Sequence, residues 1–155
     1  MARSRDLSSG RNYVSRLIKF RIRSEKELRD KLKAKQYDGP AIDELIAYFK
    51  RLGYVNDKEF ARGWINYRLS KPLALRAIEA ELRQKGIGRE IINELIGEKK
   101  SSLNEFDIAR ELVKRRLEKL KGKKDKDDKI KQKLYYYLAR RGFSNDIVSE
   151  AINQI

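Results

Sequence analysis

The chain has 155 residues, 39% of them charged, and its 38 Lys and Arg against 23 Asp and Glu give a formal net charge of +15. A balance this basic asks for a polyanion or an acidic protein surface as partner. Cys and His are both absent, which excludes disulfides, thiolate and imidazole metal sites, cysteine nucleophiles and the usual general base near neutral pH, and accords with a reducing cytoplasm.

In chain order, residues 1–10 read as a disordered N-terminal tail without the apolar core of a secretory signal. A first helix is expected over roughly 11–22. Ser24 with Glu27 then has the spacing of a capping box, which starts a second helix, and "LKAKQYDGPAIDELI" (Leu32 to Ile46) carries the chain through a turn into a third, with Pro40 suited to its first helical turn. Gly53 closes this first group in a left-handed residue. The pattern then recurs. Asn56 with Glu59 starts a helix over 57–69 whose apolar face holds Phe60, Ala61, Trp64, Ile65 and Leu69. Pro72 is placed in the first turn of the next helix, and "LRQKGIGREIINELI" (Leu82 to Ile96) repeats the turn, with Gly86 as its left-handed residue. Ser102 with Glu105 is read as a third capping box, opening a helix over 103–120. The tract "KGKKDKDDK", Lys121 to Lys129, is read as a charged loop. Finally "LARRGFSNDIVSEAI" (Leu138 to Ile152) gives the third copy of the turn, at Gly142.

The register places Leu28, Ile78 and Leu134 in equivalent positions, and likewise Leu32, Leu82 and Leu138; Ile42, Ile92 and Val148; Ile46, Ile96 and Ile152. Nine helices in three tandem three-helix repeats follow, over 11–55, 56–100 and 101–155. The fold expected is all-α. One such unit buries too little apolar surface alone, so the repeats are expected to stack into an elongated, curved array.

Charge is divided unevenly within each repeat. Residues 38–49, 88–98 and 144–155 carry net −3, −2 and −2. These third helices are therefore poor candidates for entering a groove lined by phosphates, and base-specific major-groove reading is disfavoured. The positive excess lies on the first and second helices and their connections, where Arg23, Arg29, Arg68, Lys71, Arg76, Arg83, Lys85, Arg115, Lys133, Arg140 and Arg141 are the candidate residues of a basic stripe for an extended anionic partner. Trp64 reads as core. Of Tyr135, Tyr136 and Tyr137, which point three ways around a helix, at most two can be buried. Tyr37, Tyr54 and Phe143 read as plugs between helices. No carboxylate constellation suggests a two-metal nuclease or an acid/base pair, and no Gly-rich phosphate loop occurs, so catalytic residues, metal and cofactor are expected to be absent.

Four stretches resemble the RecX family of recombination regulators, over nearly the whole length from Arg21 onward: "RIRSEKELRDKL" (Arg21 to Leu32), "LGYVNDKEFARGWI" (Leu52 to Ile65), "KPLALRAIEAELRQKGI" (Lys71 to Ile87) and "YYLARRGFSNDIV" (Tyr136 to Val148). The sequence departs from the family pattern at Ile22, where Pro is usual, at Ala74, where Gly is usual, and at Ala77, often basic. The resemblance implies three tandem three-helix units and a cytoplasmic, non-enzymatic protein. Its implied role is to bind the RecA recombinase filament on DNA, to restrain ATP hydrolysis, strand exchange and filament growth, and to bind DNA directly. A monomer is expected. A sequence-nonspecific single- or double-stranded nucleic-acid-binding module is the alternative reading of the same charge.

Overall fold

The structure is a computed structural model that describes residues 6–122 and 125–155. The expected tail over residues 1–5, and Lys123 and Lys124 of the expected charged loop, lie outside the described residues. Among the described residues there are nine helices and no strand: α1 (Leu7–Phe20), α2 (Glu25–Ala34), α3 (Gly39–Arg51), α4 (Asp57–Leu69), α5 (Leu75–Gln84), α6 (Arg89–Lys100), α7 (Glu105–Leu120), α8 (Asp127–Ala139) and α9 (Asn145–Asn153). The protein is an all-α repeat fold.

Local chemistry explains most boundaries. Ser24 and Glu27 form the full capping box at the start of α2, Asn56 Oδ1 accepts from the backbone N–H groups of Lys58 and Glu59, and Pro40 sits in the first turn of α3. Four boundaries differ from expectation. α1 starts at Leu7, because Asp6 caps it by accepting from Ser8 N, so residues 7–10 are helical rather than tail. α8 starts at Asp127, inside the stretch read as loop, with Asp127 and Asp128 facing the positive end of its dipole. Pro72 precedes α5, which starts only at Leu75. Ser102 does not cap α7; Asn104 does, by accepting from Phe106 N, and Glu105 reaches instead to Leu75 N, 2.6 Å away.

The repeat register predicts burial closely. Leu28, Leu32, Ile78, Leu82, Leu134 and Leu138 have no exposed surface, and Ile42, Ile92, Val148, Ile46, Ile96 and Ile152 are all 7% exposed or less. The turn between second and third helices repeats as well, with a left-handed residue at Gln36, Gly86 and Gly142 (φ 63°, 78° and 87°). Gly is the residue that tolerates this at no steric cost, and Gln36 shows that the turn forms even where a side chain must adopt it.

By density of internal contacts the chain divides into two compact units, Met1–Trp64 with Leu82–Ile92, and Ile65–Glu81 with Asn93–Ile155. In the first, α3 packs on α1 and α2 around Val14, Leu28, Leu32, Tyr37, Ile42, Leu45, Ile46, Phe49 and Val55. In the second, α7, α8 and α9 pack on one another around Ala109, Leu112, Val113, Leu134, Leu138, Phe143, Val148, Ala151 and Ile152, with Ala74 joining them. Tyr37 and Phe143 are thus the plugs expected. Tyr54 is not: it is 59% exposed, since its turn leaves the ring at the mouth of a shallow cavity with Ser15, Ile18, Lys19 and Phe49.

The first unit is also tied by an ion cluster at the head of α2. Glu27 accepts from Arg21 (3.0 and 3.1 Å), from Lys85 Nζ (3.0 Å) and from Ser24 N (3.1 Å), while Ser24 Oγ donates to the Lys85 carbonyl at 2.8 Å. Burial opposes ionisation of Glu27, but the bonds from Arg21 and Lys85 and the Ser24 N–H outweigh it and hold its pKa at about 2. The folded value lies below the ordinary 4.5, so the stabilisation is fully present above that value and is lost as pH falls toward 2. The contribution is on the order of 2–3 kcal/mol. Urea unfolding at pH 6 and pH 2.5 should therefore show a gap between wild type and Glu27→Gln at the higher pH that narrows strongly at the lower; an equal gap at both would reject the cluster as the cause.

Candidate partner-binding surfaces

In the second unit a groove of about 460 Å³ is lined by Ser70, Lys71, Pro72, Leu112, Arg115, Arg116, Lys119, Tyr137 and Arg141. Helical spacing assembles half of it: Leu112, Arg115, Arg116 and Lys119 fall on one face of α7. The segment after α4 brings Lys71, and the end of α8 brings Tyr137 and, one turn on, Arg141. Five cations line this groove and no carboxylate does. Tyr137 is the organiser. The Arg141 guanidinium lies 3.9 Å from its ring centroid and that of Arg116 5.1 Å away, so the electron-rich ring offsets the repulsion between two like charges. Arg141 is further fixed by an NH1 bond to the Tyr137 carbonyl at 3.4 Å. Arg116 Nε is buried with no hydrogen-bond acceptor among the described residues, a donor that an incoming anion can satisfy.

In the first unit a cavity of about 500 Å³ is lined by Ser9, Tyr13, Arg16, Leu17, Phe20, Arg23, Lys35 and Tyr37. It is more apolar in character. Phe20 is 84% exposed at its edge, Lys35 Nζ stands 5.6 Å from the Tyr13 ring centroid, and Ser9 and Tyr37 are hydrogen-bonded to each other through their hydroxyls at 2.9 Å. Arg23 is buried in its wall.

The structure sorts the remaining predicted cations by the partners they find. Arg29 is held between Glu25 (3.0 Å) and Asp43 (2.6 Å). Lys85 is bonded to Glu27 and lies 4.2 Å above the Trp64 ring, which makes half-buried Trp64 a seat for a structural cation rather than a plain core residue. Arg68 pairs with Glu81 at 2.7 Å, and Lys133 pairs with Asp125. These four serve the fold first. Arg76, Arg83 and Arg140 are exposed, and Arg140 Nε donates to the Tyr136 carbonyl at 3.3 Å. Of the predicted stripe, only Lys71, Arg115 and Arg141 share one groove; Arg116, Lys119 and Tyr137 complete it, and the signal for the first two was their spacing from Leu112 and Arg115 on α7. Among the described residues no group of three or more acidic side chains is arranged as metal ligands, and no described helix is long and apolar enough to cross a membrane.

The sequence matches three family models in order, described as the first, second and third three-helix domains of RecX, over residues 11–49, 56–96 and 104–152. It is 32% identical to a "Regulatory protein RecX" of Clostridium beijerinckii over 156 residues, covering 100% of this chain and 72% of that protein. It is 35% identical to another of Mycobacterium sp. (strain KMS), covering 90% of this chain and 78% of the relative. Among solved structures, RecX from Lactobacillus salivarius superposes with a TM-score of 0.77 at 23% identity, covering 96% of this chain and 95% of the other.

Proposed function

The chain belongs to the RecX family of regulatory proteins, and on that premise we propose that it binds the RecA–DNA filament in the cytoplasm as a monomeric, non-enzymatic modulator that restrains ATP hydrolysis, strand exchange and filament extension. The observation that carries the reading is the match to all three RecX domains in order. The groove in the second unit gives it a physical route, since five cations and no carboxylate line it, and although Arg115 also pairs with Glu111 at 3.2 Å the positive excess favours the phosphates that such a filament presents in repeated array. Several modest contacts along a repeating partner add up through effective concentration, and inhibition follows if the bound protein prefers one state of the filament over the other.

Titrating the full chain into RecA, ATP and single-stranded DNA is expected to slow ATP turnover at substoichiometric ratio. Unchanged turnover at equimolar protein would reject the reading. The same groove also favours a second reading, a sequence-nonspecific nucleic-acid-binding module. The two separate on one comparison: affinity for the filament well above affinity for the bare strand supports the modulator, and equal affinities support the module.

A further inference from the structure

The cavity of the first unit differs in kind from the groove of the second. Its most buried charge is Arg23, 9% exposed, whose Nε donates to the Leu17 carbonyl at 3.2 Å. Among the described residues no carboxylate pairs with it and its terminal amino groups have no acceptor. Partial burial of a guanidinium without a counter-ion carries a desolvation cost, and its terminal amino groups are not among the fully enclosed atoms, so a ligand in the cavity can reach them. Burial, and then the neighbouring Arg21 charge, pull its pKa below the ordinary value. The acid that acts on it most, Glu27, already serves Arg21, Lys85 and the Ser24 N–H. Around this unanswered charge stand Tyr13, Leu17 and Phe20, with Arg16 and Lys35 among the lining residues and no acid. Next in sequence Ile22 is 60% exposed.

We propose that this cavity anchors an acidic segment of a protein partner that carries an apolar side chain beside a carboxylate, the carboxylate on the Arg23 terminal amino groups and the apolar side chain against Leu17 and Phe20. A carboxylate matches the two-pronged guanidinium, and one closed bidentate pair inside an apolar wall is the arrangement in which a charged contact is strongest. Charge complementarity names the occupant: Arg16, Arg23 and Lys35 favour an acidic sequence. The apolar walls favour Leu or Phe over the sugar of a strand. For the identity of the partner the proposal rests on the filament reading above, giving the protein face of the filament a seat on this chain, whereas the chemistry of the cavity stands without it.

The test uses the full chain labelled with ¹⁵N and the peptide acetyl-Leu-Asp-Asp-Phe amide as probe. The peptide is expected to shift the Arg23 Nε–H resonance saturably, and its Asn-for-Asp counterpart to bind at least about tenfold more weakly, as loss of a charge-assisted pair requires. Because Arg23 is buried and its replacement risks the fold, the variant is Phe20→Ala, at a side chain already in solvent. It should lower peptide affinity about tenfold with an unchanged helical signal and unchanged affinity for an oligothymidine strand. Equal binding of the acidic and neutral peptides, no effect of Phe20→Ala, or an oligothymidine that shifts the same resonance with equal affinity would each overturn the proposal, the last in favour of a nucleic-acid site. If the wild-type chain leaves RecA turnover unchanged, the filament reading falls while the peptide titration still judges the cavity.

Discussion

Reversing Lys71 and Lys119 together to Glu is expected to weaken binding of single-stranded DNA by about 25-fold or more at 0.1 M salt, because each phosphate contact to a single strand contributes about 0.7 log unit of affinity per tenfold dilution of salt. Both side chains are exposed, so the fold should survive. The salt dependence should become shallower by about 1.4 in log–log slope as two contacts disappear, a readout that a structural defect would not produce. A control holds net charge constant. Lys31 and Lys33 are also exposed, on α2, and line none of the described cavities; reversing them changes the charge equally and should cost far less. Anisotropy of a labelled oligonucleotide across a salt series measures all three proteins, and equal losses in both variants would mean that the whole basic surface binds rather than the groove.

Gly142→Ala is expected to be the most damaging small substitution in the second unit. Its φ of +87° is already unfavourable for any L side chain. The added Cβ would also stand 2.7 Å from Ala77 Cβ, 3.3 Å from Ala77 N and 3.4 Å from Ala77 Cα, so the backbone of α5 has to move. Strain of about 1–2 kcal/mol and overpacking of about 1–3 kcal/mol combine to roughly 2–5 kcal/mol. Gly53→Ala separates the two terms, since Gly53 has φ +76° with nothing within 4 Å of the added carbon; it should cost only the first. Thermal or urea unfolding of both variants decides the matter, and comparable losses would remove the close approach from the account. The same turn supports the groove, because the Arg141 carbonyl accepts from Ala74 N at 3.0 Å. Gly142→Ala should therefore weaken strand binding as well as stability.

The helices were legible because their signals are short-range. Leu28, Leu32, Ile42 and Ile46 recur as Leu134, Leu138, Val148 and Ile152 at helical spacing, and every one is buried. The capping box at Ser24 needs only four neighbouring residues to agree, and it forms. Where a local signal failed, a distant group had outbid it: Glu105 was spaced to serve Ser102, but the Leu75 N–H across the second unit takes its carboxylate, leaving Asn104 to cap α7. The cations were the least legible part. Lys85 and Lys119 look alike in the sequence, yet Lys85 is committed to Glu27 and Trp64 while Lys119 stands exposed at the groove.

The sequence by itself determined the three-fold helical repeat, the identity of its core positions and the basic excess, since periodicity, capping and composition are properties of neighbours along the chain. Only the tertiary structure decided which of those cations remain available to a partner. Folding sets Glu27 on Lys85 and Asp43 on Arg29, places Arg23 in the wall of a cavity with no counter-ion among the described residues, and stacks Arg116 and Arg141 on Tyr137. A charge is spent or spare according to what lies within a few ångströms of it, and that distance is fixed by the packing of helices far apart in the chain.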